Sequence, residues 1–153
     1  MSKKGLSIYS DEFYMRQAIA EAGKAATADE VPVGAVVVCN QRIIARAHNL
    51  TEQLTDVTAH AEMQAITAAA NYLGAKYLEE ATLYVTLEPC PMCAGALYWA
   101  RIGKVVWGAP DPKRGFTLTN PQMLHPSTAA EHGLLEDECS RILTEYFQKK
   151  RNH

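Results

Sequence analysis

At 153 residues, 48% of them apolar and 21% charged, the chain fits one soluble domain and excludes a disordered or collagen-like polymer. A single domain spanning residues 1–153 is expected. Its 15 basic and 17 acidic residues leave a net charge of −2, which argues against a broadly basic nucleic-acid binder. The charge is uneven, however. Lys3, Lys4, Lys149, Lys150 and Arg151 lie at the two ends, and without them 10 basic residues face 17 acidic ones, a body of −7 with basic tips. Solvated ends are the plain reading of such tips.

No apolar run approaches the ~18 residues needed to span a bilayer, and MSKKGLSIYSDEF lacks the hydrophobic stretch of a signal peptide, so no membrane association and a cytoplasmic location are expected. Ser10 is placed to cap a first helix whose core stripe is Met15, Ile19, Ala22 and Ala26. The β-branched run Val33 to Val38 reads as a strand that turns at Cys39-Asn40-Gln41 into a second strand over Arg42 to Ala47. Apolar residues at helical spacing between His60 and Leu73, with Gly74 as a stop, predict a second helix. Thr82 to Leu87 reads as a strand, Pro91 to Arg101 as a helix and Lys104 to Trp107 as another strand. Gly108 to His132, rich in Pro, Gly and polar residues, is expected to be a functional loop region with a short strand near Thr128. Leu135, Cys139, Ile142 and Tyr146 mark a last amphipathic helix, with Tyr146 read as core. Helices alternating with strands after an opening hairpin imply an α/β fold, a three-layer α/β/α sandwich with a central mixed sheet.

The chemistry concentrates in His60-Ala61-Glu62 and Pro89-Cys90-Pro91-Met92-Cys93. Pro91 suits the first position of a helix, which puts Cys90 and Cys93 at a helix N-terminus, where the macrodipole favours the thiolates that bind metal. With His60 they form a ligand set suited to zinc, and three protein ligands leave one tetrahedral position open for water, the arrangement of a catalytic site. Glu62 need not ligate beside His60, two residues away, and is the candidate proton carrier. The same residues also suit a Cys-x-x-Cys redox pair, or a structural zinc completed by Cys39, Cys139 or another His. Cys39 and Cys139 are otherwise small packing residues. Together, His-x-Glu and Pro-Cys-x-x-Cys match the signature of zinc-dependent nucleobase deaminases.

At these residues the chain resembles the cytidine deaminase-like superfamily, and more closely the TadA-type tRNA adenosine deaminases, from about Phe13 to Arg151. The matching stretches are EVPVGAVVV (Glu30 to Val38), His48-Asn49, TAHAEMQAI (Thr58 to Ile66), LYVTLEPCPMCAGAL (Leu83 to Leu97), GAPDPKRG (Gly108 to Gly115) and a C-terminal YFQKKR. The resemblance implies one zinc ion per subunit and no organic cofactor. It implies that Glu62 takes a proton from zinc-bound water, that the hydroxide attacks the ring carbon bearing the exocyclic amine, and that Glu62 returns protons to ring nitrogen and ammonia. Asn49 and the Ala61 backbone would contact the base and Val31 would wall the pocket, although an Asn also fixes turns and a Val also packs in cores.

The implied substrate is the wobble adenosine of a tRNA anticodon, splayed into the pocket and converted to inosine. Asp111, Lys113 and Arg114 match the segment that meets flanking nucleotides, and Phe147, Lys149, Lys150 and Arg151 offer an aromatic face and charge to the anticodon stem-loop. Pro110 departs from the polar residue expected in that segment. Family members are homodimers. Ala94, Gly95 and Ala96 beside Tyr98 and Trp99 suit such an interface, and core packing accounts for them equally well. Two other readings remain at this point. A free nucleobase or nucleoside deaminase, guanine deaminase-like, shares HAE, EPCPMC and a YWAR-like helix; the basic C-terminal helix and the DxKxG loop favour RNA over it. A non-catalytic zinc-stabilised binding module would require a fourth protein ligand.

Overall fold

In the computed structural model, which describes residues 10–152, Ser10 caps α1 (Asp11–Thr27) by accepting the Phe13 N–H at 3.1 Å. Lys3 and Lys4 of the basic tips lie outside the described residues. The buried face of α1 carries Tyr14, Met15, Ala18, Ala22 and Ala25. Ile19 and Ala26, expected in the stripe, lie at its half-buried margin, because Met15, Ala18, Ala22 and Ala25 keep the tighter i, i+3, i+7, i+10 line toward the sheet.

β1 (Gly34–Cys39) and β2 (Arg42–His48) form the expected hairpin. Asn40 and Gln41 at its tip take φ of 53° and 59°, the two left-handed residues that match a tight turn to the twist of its strands. α2 (Ala61–Leu73) stops at Gly74, whose φ of 65° penalises any residue with a Cβ. β3 (Ala81–Leu87), α3 (Pro91–Ala100) and β4 (Lys104–Ala109) follow, and then α4 (Phe116–Thr119), β5 (Ala129–His132) and α5 (Glu136–Arg151). α4 and β5 both fall in the stretch expected as a loop region, with β5 starting one residue past Thr128.

The sheet order is β2-β1-β3-β4-β5, with β1 antiparallel to both neighbours and β3, β4 and β5 parallel. Successive strand residues face opposite layers. Ala35, Val37, Leu83, Val85 and Val105 pack with Ala61, Ala65 and Ala69 of α2 and Ala94 and Leu97 of α3. Val36, Val38, Tyr84 and Val106 pack on the other side with Tyr14, Met15 and Ala18 of α1 and Cys139 of α5. The architecture is thus the expected three-layer α/β/α sandwich. Cys139 is the buried residue of α5, and Tyr146 is not core. The helix covers the sheet through its first half, so Tyr146 stays half-buried and its hydroxyl donates to Asp29 O at 3.2 Å. Parallel β3 and β4 end side by side, and the start of β1 is tied to the same edge by the Gly34 N–H donating to Thr86 Oγ1 at 3.2 Å. Crevices outside such strand ends are where α/β sheets hold ligands.

Candidate active site

Two helix N-termini meet at this edge. His60 is the N-cap of α2 and Cys90 the N-cap of α3, with Pro91 opening the helix and Cys93 in its first turn. His60 Nδ1 lies 3.4 Å from Cys93 Sγ and 3.7 Å from Cys90 Sγ, and one ligand atom from each of the three falls within 4.8 Å of the others. Zinc bonds of about 2.3 Å to sulfur and about 2.0–2.1 Å to nitrogen, at the tetrahedral angle, hold N and S about 3.5 Å apart. The donor types and their spacing therefore fit zinc. Among the described residues no fourth His, Cys, Asp or Glu joins the group, and Cys39 and Cys139 lie in the two cores instead.

Burial and hydrogen bonding set the charges here. The hydrogen bond from Cys93, helped by His60, draws the Cys90 thiol down to about 4, while that bond and burial push Cys93 up. His60 is raised by its hydrogen bond to Cys90, against the effect of burial. Glu62, in the first turn of α2, is 4% exposed, and burial pushes its carboxyl up to about 7. A carboxyl held there exchanges protons near neutral pH, as general acid-base work requires.

His60, Glu62 and Cys90 line a cleft of about 630 Å³. The same cleft gathers Val31 from the segment before β1, Asn49 from just after β2, Ala61 from α2, Asp111, Lys113 and Arg114 from the loop after β4, and Phe147 from α5. Asp111 shapes that loop, since its Oδ1 accepts the Lys113 N–H at 3.1 Å and the Arg114 N–H at 3.0 Å, and the exposed Pro110 leads directly into the turn. Lys149, Lys150 and Arg151 do not line the cleft. They form the last turn of α5, where Lys150 Nζ sits 3.1 Å and 3.2 Å from the Asp29 carboxylate oxygens.

Two residues beside the cleft escaped the sequence reading. Glu30, fully buried, accepts the N–H groups of Glu52 at 3.0 Å and Gln53 at 2.7 Å, and Glu88 grips the loop after β4 in the same manner. The available signal was a charged residue set beside apolar strand segments, since buried carboxylates are rare unless paired.

Residues 8–109 match the model of the zinc-binding region of cytidine and deoxycytidylate deaminases. Over 146 residues, 92% of this chain and 91% of the relative, the sequence is 50% identical to the tRNA-specific adenosine deaminase of Bacillus subtilis (strain 168). It is 46% identical over 147 residues to that of Aquifex aeolicus (strain VF5), covering 93% and 97% of the two chains. The fold matches a solved tRNA:A34 deaminase, 45% identical, with a TM-score of 0.79 over 86% of this chain and 99% of that one. It also matches the guanine deaminase of Bacillus subtilis, 32% identical, with a TM-score of 0.66 over 94% and 95%. With its sequence matched along nearly the whole length of these relatives, the chain belongs to the zinc-binding cytidine and deoxycytidylate deaminase family and, within it, to the tRNA-specific adenosine deaminases.

Proposed function

We propose that the protein is a zinc-dependent hydrolytic deaminase that converts the wobble adenosine of a tRNA anticodon to inosine. One observation carries this reading: a single cleft holds His60 and Cys90, the buried Glu62 carboxyl and the cations Lys113 and Arg114. His60, Cys90 and Cys93 hold one zinc ion per subunit. Zinc, when bound, acidifies water and so makes a nucleophile available at neutral pH. Glu62 accepts a proton from the attacking water and passes protons to the ring nitrogen and the departing ammonia. Water enters and ammonia leaves, so no organic cofactor is needed.

Asn49 and the Ala61 N–H, in the first turn of α2 where backbone N–H groups lack intrahelical partners, read the base edge, and Val31 walls the ring. A base reaches them only when splayed out of its stack, which favours a single-stranded loop over a duplex. Lys113 and Arg114 meet the flanking phosphates, and Phe147, 43% exposed, offers its ring for stacking. Lys149 and Arg151 add charge nearby, and Lys150 divides its charge between RNA and Asp29. A mostly acidic body thereby recognises an anticodon stem-loop through a few local cations.

One domain, residues 1–153, supplies the chemistry, and two copies form a homodimer that holds the RNA. On α3, Met92 and Trp99 are exposed with half-buried Gly95 and Ala96 between them, and a Cβ on Gly95 would meet open space. An exposed apolar stripe with small residues at its centre suits close approach of a second copy. Among the described residues no helix is long and apolar enough to cross a membrane. Four free cysteines suit a reducing cytoplasm.

The test compares ammonia release from an anticodon stem-loop with release from free adenosine, guanine and cytosine. Turnover is expected with the stem-loop. Turnover of free guanine with an inert stem-loop would replace this reading with a guanine deaminase.

A further inference from the structure

Glu88 follows β3, is 5% exposed, and reaches across to the loop after β4. Its Oε1 accepts the Asp111 N–H at 3.1 Å, while Oε2 accepts the Thr117 N–H at 3.0 Å and the Thr117 hydroxyl at 2.7 Å. The carboxylate thus grips the loop on both sides of Lys113 and Arg114. Backbone bonds run alongside, from the Glu88 N–H to Ala109 O at 2.8 Å and from the Phe116 N–H to Pro89 O at 2.9 Å. Gly115 lies against the carboxylate. Its φ of −63° and ψ of 142° suit any residue, yet a Cβ there would overlap Glu88 Cδ and both carboxylate oxygens. Backbone conformation does not call for glycine at 115; the close approach of Glu88 does. Hydrogen bonds from N–H groups to a carboxylate are the stronger kind, and a buried carboxylate deprived of them is costly, so loop and side chain fix each other.

We infer that Glu88 is a positioning residue for RNA recognition: it holds the 111–117 loop so that Lys113 and Arg114 face the phosphates flanking the target nucleotide. The inference rests on the RNA contacts proposed above for those two cations. Each phosphate contact steepens the dependence of log K on log salt by about 0.7–0.9, so the role has a signature that folding and zinc loading do not share.

The experiment measures the affinity of the zinc-loaded full chain for an anticodon stem-loop across a KCl series, with zinc content determined for each variant. Lys113→Ala/Arg114→Ala is expected to flatten the slope by about 1–2. Glu88→Gln turns amide donors onto the loop's own donors. It is expected to flatten the slope equally with both cations present and one zinc per chain, and to add nothing in the Lys113→Ala/Arg114→Ala background. Gly115→Ala displaces the carboxylate from the other side, and Thr117→Val deletes the hydroxyl bond alone. Both should move the slope in the same direction, and they decide the matter if Glu88→Gln does not fold. A full slope in Glu88→Gln and Gly115→Ala beside a flattened one in the cation double variant overturns the inference and leaves the RNA reading standing. A full slope in the cation double variant overturns both. Recovery of the slope in Glu88→Ala/Gly115→Ala would also overturn the inference, because that pair restores space without the hydrogen bonds.

Discussion

Asn49 is bonded to Val31 at the wall of the cleft: its Nδ2 donates to the Val31 carbonyl at 3.3 Å while its Oδ1 accepts the Thr51 N–H at 3.2 Å. Fixing a turn and reading a base are therefore compatible tasks for this side chain. An amide has two N–H donors and two lone pairs on oxygen, so these bonds leave it one donor and one lone pair. Asn49→Ala removes both functions. It should lower stability by about 1–2 kcal/mol in urea unfolding and raise the KM for an anticodon stem-loop at least about tenfold. Asn49→Asp keeps an acceptor for Thr51 but loses the donors, so it should recover part of the stability and none of the KM. A KM unchanged in Asn49→Ala would leave Asn49 with the turn alone.

Glu62 and the metal ligands separate under mutation. Glu62 lies outside the His60-Cys90-Cys93 donor group, so Glu62→Gln should retain one zinc per chain while kcat falls about 10²–10⁴-fold, the scale of a general acid-base group. Cys90→Ala should lose zinc and activity together. Chelation of wild-type protein should abolish turnover, and added zinc should restore it. Full activity in zinc-loaded Glu62→Gln would refute the proton-carrier role.

The parts of this molecule that were legible in the sequence are those encoded over short spans. Ser10, Asn40, Gly74 and Pro91 each occupy the cap, turn or first-turn position that their local chemistry favours. The donor set was legible for the same reason: its members occur in two short motifs, each at the start of a helix. What escaped was long-range. The contact of Glu88 with Thr117 spans 29 residues and that of Tyr146 with Asp29 spans 117, and nothing near either residue in sequence names its partner. Tyr146 continues an apolar stripe, but a stripe does not say how far along a helix its covering layer extends.

Cys139 gives a pH dependence away from the metal site. It is fully buried beneath β4, where a Cβ on Gly108 would overlap its sulfur. Burial, followed by the charges of Glu138 and Glu136, pushes its thiol up to about 12. An unfolded thiol titrates near about 8.5, so above that pH the folded chain keeps a proton that the unfolded chain has released. This contribution to stability is whole below about pH 8.5 and is lost as pH rises toward the folded value, at about 1.4 kcal/mol per pH unit. Cys139→Ala lacks it. The unfolding free energy of the variant, measured in urea between about pH 9 and about pH 11, should therefore fall less steeply than that of wild type. Parallel slopes would contradict the burial argument, and a loss of zinc from the variant would place Cys139 in the metal site.

Trp99 stands 77% exposed on α3, its ring edge-on to Tyr98 at 5.5 Å, and it belongs to neither core. Exposed aromatic surface in an apolar stripe is costly in water unless something covers it, and the proposed cover is the same stripe of a second copy. Trp99→Glu places a charge from each copy on opposite sides of one two-fold contact. The variant should sediment as a monomer, keep its thermal unfolding transition and its zinc, and bind an anticodon stem-loop at least about tenfold more weakly, as the proposal that two copies hold the RNA requires. A dimeric Trp99→Glu chain would move the interface elsewhere on the surface. A monomer with full RNA affinity would show that one copy is enough to hold the RNA.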